Sequence, residues 1–153
     1  MKAFIGTFIN KIDAKGRISV PAPFRAALQA KNLNGVTVYP ALTGHCIEGC
    51  GLDRIEAMVE TMPNQPIPSV DEDAIAHLIF ASARELPFDG GGRIVLPTEF
   101  LGDAGLTEQG AFVGKGRTFQ IWNPTTLRSV QSEMFDLAMA ERETLLKARR
   151  EGE

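Results

Sequence analysis

Short apolar segments alternate with polar turns along the first 123 residues, and the two halves of this region follow the same order. In each half a β-like segment runs into a polar turn, followed by a short apolar strand, a proline and a short helix. Proline suits the first turn of a helix, because the backbone N–H that it lacks has no partner there. Two further short strands and a helix close each half. The predicted strand, strand and helix are Phe4–Ile12, Ile18–Val20 and Ala22–Ala30 in the first half, and Arg84–Phe88, Ile94–Leu96 and Thr98–Leu101 in the second.

Helices are also predicted between the two halves. A helix over Leu52–Thr61 is followed by Met62–Ser69, where three prolines in six residues indicate a linker. A second helix is predicted over Asp71–Ala83, with Asp71 as its N-cap. Its apolar face consists of Ile75, Leu78 and Ile79.

The last predicted helix, Thr125–Arg149, is longer than a small domain needs and would extend about 37 Å at about 1.5 Å per residue. It carries a helical apolar stripe, which either packs on its own domain or binds a partner in an oligomer. The stripe consists of Leu127, Val130, Met134, Leu137, Ala138, Leu145 and Ala148.

A motif of thirteen residues occurs twice in the chain, at a spacing of 76 residues. Residues 13–25 and 89–101 are identical at six of these thirteen positions. An internal repeat of this kind predicts two copies of one structural unit. The identical pairs are Asp13/Asp89, Gly16/Gly92, Arg17/Arg93, Ile18/Ile94, Pro21/Pro97 and Phe24/Phe100.

The Asp-x-x-Gly-Arg turn in each repeat has a defined chemistry. Its glycine permits a positive φ, so the chain can reverse sharply. Its aspartate can accept backbone N–H bonds and orient the arginine through a charge-assisted hydrogen bond. An oriented arginine suits phosphate oxygens or the O6/N7 edge of guanine. A plain hairpin with an internal Asp–Arg pair and no ligand is the alternative. This alternative is weakened because both repeats retain the aspartate and the arginine, as Asp13/Arg17 and Asp89/Arg93. A turn alone needs the glycine but not the arginine.

Charge is distributed unevenly along the chain, although the net charge is only −3. Residues 1–35 carry six basic residues and one acid, whereas residues 36–83 carry one base and seven acids. The N-terminal segment could therefore form a positive surface on a chain that otherwise repels polyanions. Chance segregation in short windows is the alternative. Lys15 adds a cation beside Arg17, and Gly91 takes its place in the second repeat, so we expect the first loop to contribute more phosphate affinity.

Composition is that of an ordinary globular protein, with 44% hydrophobic and 23% charged residues in 153. No apolar run approaches the roughly 18–20 residues of a membrane helix, and the N-terminal residues lack the apolar region of a signal peptide. Two cysteines are too few for a disulfide framework, which favours a reducing cytoplasm. We therefore expect a cytoplasmic protein with no membrane association.

Metal binding and catalysis are weakly supported. Cys46 and Cys50 have a spacing unlike a zinc knuckle and lack a second pair, so packed free thiols are expected. Asp13 and Asp89 could form a carboxylate dyad, but the basic residue after each would keep it ionised. No nucleophile elbow or Walker loop is present, and residues 114–118 are expected to form a hairpin turn. We predict no catalytic residue, cofactor, metal or small-molecule substrate.

The two motif copies, Asp13–Pro21 with Phe24-Arg25 and Asp89–Pro97, closely resemble the MraZ family of bacterial transcriptional regulators. The resemblance covers essentially the whole chain. It implies an α+β fold of two tandem AbrB/SpoVT-like β-rich units of the double-split β-barrel type, related by a pseudo-two-fold axis, with flanking helices. The units would span residues 6–53 and 82–125, joined by residues 54–81 and followed by a C-terminal helix over residues 126–153.

The resemblance also implies a function and an assembly. The protein would bind double-stranded DNA at short direct repeats in the promoter of the division and cell-wall gene cluster, including its own gene. It would act as a ring-shaped homo-oligomer, octamer-like, in the cytoplasm on the nucleoid. The DNA-contacting residues carried over by position are Asp13, Lys15, Arg17, Asp89 and Arg93. The alternatives are an AbrB-type antitoxin, or a structural ring without a specific operator.

The difference between Lys15 and Gly91 generates a ranking of the two loops. We expect Arg17→Ala to cost more DNA affinity than Arg93→Ala, because only the first loop carries the additional lysine. A binding titration of both variants at one fixed salt concentration measures the two losses. Equal or reversed losses would contradict the ranking.

Overall fold

The computed structural model describes residues 3–62 and 67–152, and the chain divides into two units, residues 1–123 and 124–153. The first unit is a mixed α+β structure, and the second is a single long helix. The strands are β1 (Thr7–Lys11), β2 (Arg17–Ser19), β3 (Gly35–Pro40), β4 (Ile47–Cys50), β5 (Arg84–Pro87), β6 (Arg93–Val95), β7 (Gln109–Gly114) and β8 (Phe119–Trp122). The helices are α1 (Ala22–Gln29), α2 (Leu52–Glu60), α3 (Val70–Ala76), α4 (Thr98–Asp103) and α5 (Pro124–Glu151).

Strands from the two repeats share their sheets. β1 to β4 come from the first repeat and β5 to β8 from the second, yet the six-stranded sheet has the order β1-β7-β8-β4-β3-β5. β2 and β6 form a separate two-stranded ribbon, and every pairing is antiparallel. If each strand is replaced by its equivalent in the other repeat, the strand order of the sheet is the same when read from the opposite edge. The repeats therefore interlock in space. The predicted boundaries of the two AbrB/SpoVT-like units, at residues 53 and 82, stay predictions.

The core is centred on a cluster of phenylalanine rings. Phe24 is fully buried, and its ring centroid lies 5.3 Å from that of Phe4 and 5.5 Å from that of Phe8, both edge-on. It also lies 5.3 Å from the ring of Phe119, on β8. Edge-to-face pairs of this kind add to the burial energy of the rings. Because Phe24 belongs to the motif helix α1, the cluster holds that helix against strands of the second repeat.

The segment after the linker differs from its prediction at its start. The prediction that Asp71 is the N-cap was wrong, because Ser69 caps α3 by accepting the backbone N–H of Glu72 at 3.1 Å. Asp71 lies instead inside the first turn, where a carboxylate interacts favourably with the helix dipole. After α3 the chain continues as a π-helical turn over His77–Ala81.

The predicted apolar face of this helix is only partly buried. Ile79 is buried and Leu78 half-buried, but Ile75 is exposed. Helix α2 matches its prediction to within one residue. Half of the predicted linker before α3, residues 63–66, lies outside the described residues.

The second unit, α5, has 28 residues and is about two residues longer at its C-terminal end than predicted. Its apolar residues Met134, Leu137 and Leu145 are all exposed. Both interpretations of the apolar stripe, packing on its own domain and binding a partner in an oligomer, stay predictions. Within the described residues, none of the helices combines the length and apolarity needed to cross a bilayer.

The buried phenylalanine cluster gives a stability prediction. We expect Phe24→Ala to lower the free energy of unfolding by about 3–5 kcal/mol, because it leaves a cavity among at least three other rings. Phe135→Ala is the matched control, since Phe135 is 60% exposed on α5. Urea-induced unfolding measures both, and similar losses for the two variants would contradict the assignment of Phe24 to the core.

Candidate nucleic-acid interface

The first repeated turn, residues 13–17, is held together by one carboxylate, and we call it loop 1. Oδ1 of Asp13 accepts the backbone N–H groups of Lys15 at 2.9 Å and Arg17 at 2.8 Å. Oδ2 accepts Nε of Arg17 at 2.6 Å. Gly16 adopts φ 81°, the left-handed region that its position in the turn requires. The predicted role of the aspartate, holding the turn and orienting the arginine, is confirmed in this loop.

The second turn, residues 89–93, has the same geometry, and we call it loop 2. Oδ1 of Asp89 accepts the N–H groups of Gly91 and Arg93, each at 2.9 Å. Oδ2 accepts Nε of Arg93, also at 2.9 Å. Gly92 adopts φ 75°. Each aspartate uses both oxygens on its own loop, so each arginine is oriented before any ligand arrives.

Both aspartates have lowered pKa values. For Asp13 the largest cause is the backbone N–H of Arg17, and for Asp89 it is the backbone N–H of Arg93. The side chain and positive charge of the same arginine lower the pKa further in each loop. Both carboxylates are therefore ionised near neutral pH. This opposes the shared proton that a catalytic carboxylate dyad requires.

The β2–β6 ribbon places the two arginines on one face. Arg17 pairs with Val95, and Ser19 pairs with Arg93, in an antiparallel register. Between these pairs, Ile18 and its partner are turned into the core. Because side chains alternate along a strand, Arg17 and Arg93 share the opposite, outward face. As diagonal neighbours they lie about 7–8 Å apart at the backbone.

Both guanidinium groups remain accessible on this face. The side chains of Arg17 and Arg93 are 36% and 42% exposed. Each uses Nε on its aspartate, and in the described part of the chain no further hydrogen bond is found for either side chain. The two terminal nitrogens of each group can therefore donate to a ligand in the forked geometry that suits phosphate or guanine.

Lys15 stands at the tip of loop 1. Its backbone N–H belongs to the turn, its residue is exposed, and its ammonium forms no ion pair with the described residues. The structure thus brings together four of the five predicted site residues as two Asp–Arg pairs, with Lys15 beside the first.

Arg25 is a candidate that the sequence did not single out. It lies on α1 of the first repeat but packs against loop 2, where a Cβ on Gly92 would lie 2.6 Å from its Nη1. The charge difference between the loops is therefore smaller than Lys15 and Gly91 suggest, so Lys15 alone is no longer a reason to rank Arg17→Ala above Arg93→Ala. No local signal could have found this contact, because it depends on the pairing of strands 76 residues apart.

The cysteines and the glycine-rich turn are the remaining features that the sequence analysis considered. Cys46 and Cys50 are free and buried, as predicted, and burial raises the pKa of each thiol to about 12. No cluster of three potential metal ligands is found among residues 3–62 and 67–152. Residues 115–118 connect β7 to β8, as predicted for a hairpin turn, with Gly116 at φ 90°.

Comparison with known proteins gives consistent matches. Residues 79–148 match a family model described as the MraZ protein and likened there to antitoxins. A protein of Rhodospirillum rubrum is 47% identical over 131 residues, which is 84% of each chain. One of Rickettsia akari is 38% identical over 148 residues, covering 97% of this chain and 99% of the relative. One of Rickettsia bellii is 40% identical over 146 residues, covering 95% and 97%. All three are named transcriptional regulator MraZ.

A chain that carries two pre-oriented arginine loops and is related along almost its whole length to these proteins is a transcriptional regulator, not an enzyme. It belongs to the MraZ family.

The cause of the lowered pKa values can be tested by replacing one arginine. We expect Arg17→Leu to raise the pKa of Asp13, because the side-chain bond and the positive charge are lost, and to leave Asp89 unchanged as an internal control. Carbon-detected NMR titration of the two carboxyl groups measures both values. A shift at Asp89, or none at Asp13, would contradict the assignment.

The same pKa values set the sign of a pH effect on stability. Folding lowers both values from the ordinary 3.8. The stabilisation from the two loops is therefore present above about pH 3.8 and is lost as the pH falls through the lower folded-state values.

Proposed function

We propose that this protein regulates transcription by binding double-stranded DNA through the outward face of the β2–β6 ribbon. The observation that carries the proposal is the pair Arg17 and Arg93, which share that face and are each oriented by an aspartate. A structural turn would need neither arginine. Lys15, one of the six basic residues among the first 35, is exposed in loop 1 and adds a positive charge beside Arg17.

The spacing of the two arginines suits a nucleic-acid strand. The two residues are diagonal neighbours about 7–8 Å apart at the backbone, which is close enough for both long side chains to contact one duplex. A guanidinium can donate two hydrogen bonds to a phosphate or to O6 and N7 of guanine. Because Asp13 and Asp89 hold the arginines in place, little side-chain entropy remains to be lost on binding.

The fold proposed with this function is the tandem AbrB/SpoVT arrangement of two swapped hairpins. Its support is the strand pairing: β1 and β2 are consecutive in the chain, yet they do not form a strand ladder with each other in the described residues and are joined by the Ile12–Ile18 bridge and a bond from Asn10 Nδ2 to the oxygen of Ser19. Beyond that bridge, β1 pairs with β7 and β2 pairs with β6. Each hairpin thus opens and inserts its two strands into the other repeat.

We include a homo-oligomer in the proposal, because a single chain presents few positive charges to DNA on this face. Each phosphate contact adds only a salt-dependent increment to affinity. A ring, octamer-like in size, would present several copies of the face to direct repeats and gain about 10²–10⁴ in avidity. The operator would be the promoter of the division and cell-wall gene cluster, including the gene for this protein. The working location would be the cytoplasm, on the nucleoid.

A second candidate function is that of an antitoxin-like protein, which binds another protein as well as DNA. The description of the matching family model favours it. So do the exposed apolar residues of α5, because an antitoxin needs a surface for its partner. The two candidate functions make different predictions for this protein in the absence of a partner. A promoter-binding regulator prefers its promoter over other DNA, whereas the alternative does not require that preference.

The test is fluorescence anisotropy with DNA from upstream of this protein's own gene and a scrambled duplex of the same length. We expect wild type to prefer the promoter, and Arg17→Ala and Arg93→Ala each to weaken binding at least about tenfold, the cost of one charge-assisted hydrogen-bonding group. Arg117→Ala is the matched control, because Arg117 is exposed in the β7–β8 turn, at the end of β1 remote from loop 1.

A folded wild-type protein with no preference over the scrambled duplex would reject the proposal and turn the search to a protein partner. Equal losses from Arg117→Ala and the two loop variants would reject the assignment of the face. A salt series belongs in every titration, because affinities without the salt concentration have no fixed meaning.

A further inference from the structure

Arg25 belongs to the first repeat but lies on the loop of the second. A Cβ on Gly92 would lie 2.6 Å from Nη1, 2.7 Å from Cζ and 2.8 Å from Cδ of Arg25. The guanidinium group thus occupies the space that the absence of a side chain leaves at Gly92. Arg93, the next residue along the chain, carries the oriented guanidinium of loop 2. Two arginines from different repeats therefore meet at one loop.

Arg25 is held in this position by its own hydrogen bond. Nε donates to the backbone oxygen of Val20 at 3.1 Å, and the residue is half-buried. Of the ion pairs found among the described residues, none includes Arg25. Its positive charge is therefore not neutralised by a carboxylate, and its terminal nitrogens are not committed to one.

The equivalent contact at loop 1 has no charge. The residue that corresponds to Arg25 in the second repeat is Leu101, and its Cδ1 would lie 3.6 Å from a Cβ on Gly16. Loop 1 carries Lys15 at the position where loop 2 carries Gly91. The two differences compensate, because each loop then has its motif arginine and one additional cation.

We propose that Arg25 binds a backbone phosphate of DNA at loop 2, in the role that Lys15 has at loop 1. The inference rests on the proposed DNA-binding function and extends it to a residue outside the repeated turn. A phosphate at loop 2 can accept hydrogen bonds from the guanidinium group of Arg25, which fills the space beside Gly92, and from that of Arg93 on the same loop. The contact positions loop 2 on the duplex and reads no base.

The test compares Arg25→Leu, which copies the side chain at the equivalent position, with Arg117→Leu, which makes the same change of charge in the β7–β8 turn. We expect Arg25→Leu to weaken binding about tenfold on promoter and scrambled DNA alike. The slope of log affinity against log salt should fall in magnitude by about 0.9 for each loop 2 engaged. Arg117→Leu should leave affinity and slope near wild type.

Two further variants separate a DNA contact from a structural role. Arg25→Lys keeps the charge and should restore most of the salt slope. Arg25→Gln keeps a donor for Val20 but no charge, so it should fold as wild type and still lose the slope. Unfolding midpoints are measured for all variants. If Arg25→Leu does not fold, Arg25→Gln carries the test.

The outcomes distinguish this inference from the proposed function. Wild type without preference for its promoter would reject the function. Wild type with that preference, together with an unchanged salt slope in Arg25→Gln, would overturn the role of Arg25 alone. Weaker binding by Arg25→Leu with an unchanged slope would also overturn it, because a merely structural support does not change the number of ions released.

Discussion

The antiparallel pairing of β2 with β6 is the constraint on which the remaining features depend. Ile18 and Ile94 face each other at its centre and are both buried. Because strand side chains alternate, a shift of one residue would turn these isoleucines to solvent and the two loop arginines into the core. Burial of two large apolar side chains therefore fixes the register, and the register fixes the outward position of Arg17 and Arg93.

Two backbone hydrogen bonds extend this pairing into the loops. The N–H of Val20 donates to the oxygen of Gly92 at 3.1 Å, and that of Leu96 donates to the oxygen of Gly16 at 2.9 Å. The end of each strand thus closes on the loop of the other repeat. Each loop is held locally by its aspartate and from outside by the partner repeat. Such a loop presents its arginine with little freedom left to lose, which is what recognition of a rigid polyanion requires.

The two repeats have the same backbone plan but different chemistry around their loops. Lys15 and Gly91 occupy equivalent positions, as do Arg25 and Leu101. Since each repeat's helix supports the loop of the other repeat, the extra cation on α1 serves loop 2 and not the loop of its own repeat. The interlocking of the two repeats thus places a positive charge of the first repeat at the loop of the second.

Local chemistry was readable from the sequence alone. The bonds from Asp13 to Arg17 and from Asp89 to Arg93 span four residues, so turn chemistry and charge predict them without knowledge of the fold. The helices after Pro21 and Pro97 follow from proline's fixed φ and missing donor in the same way. Local rules did fail at Ser69, because neighbouring residues compete for one cap.

Only the tertiary structure decided which groups meet across the repeats. The shared face of the two arginines and the contact of Arg25 with Gly92 both depend on strands 76 residues apart in sequence. Periodicity within a segment carries no information about which strand pairs with which. The pairing is selected by burial of the whole apolar core, and the sequence alone therefore determined the two loops, whereas the fold determined the surface that they form together.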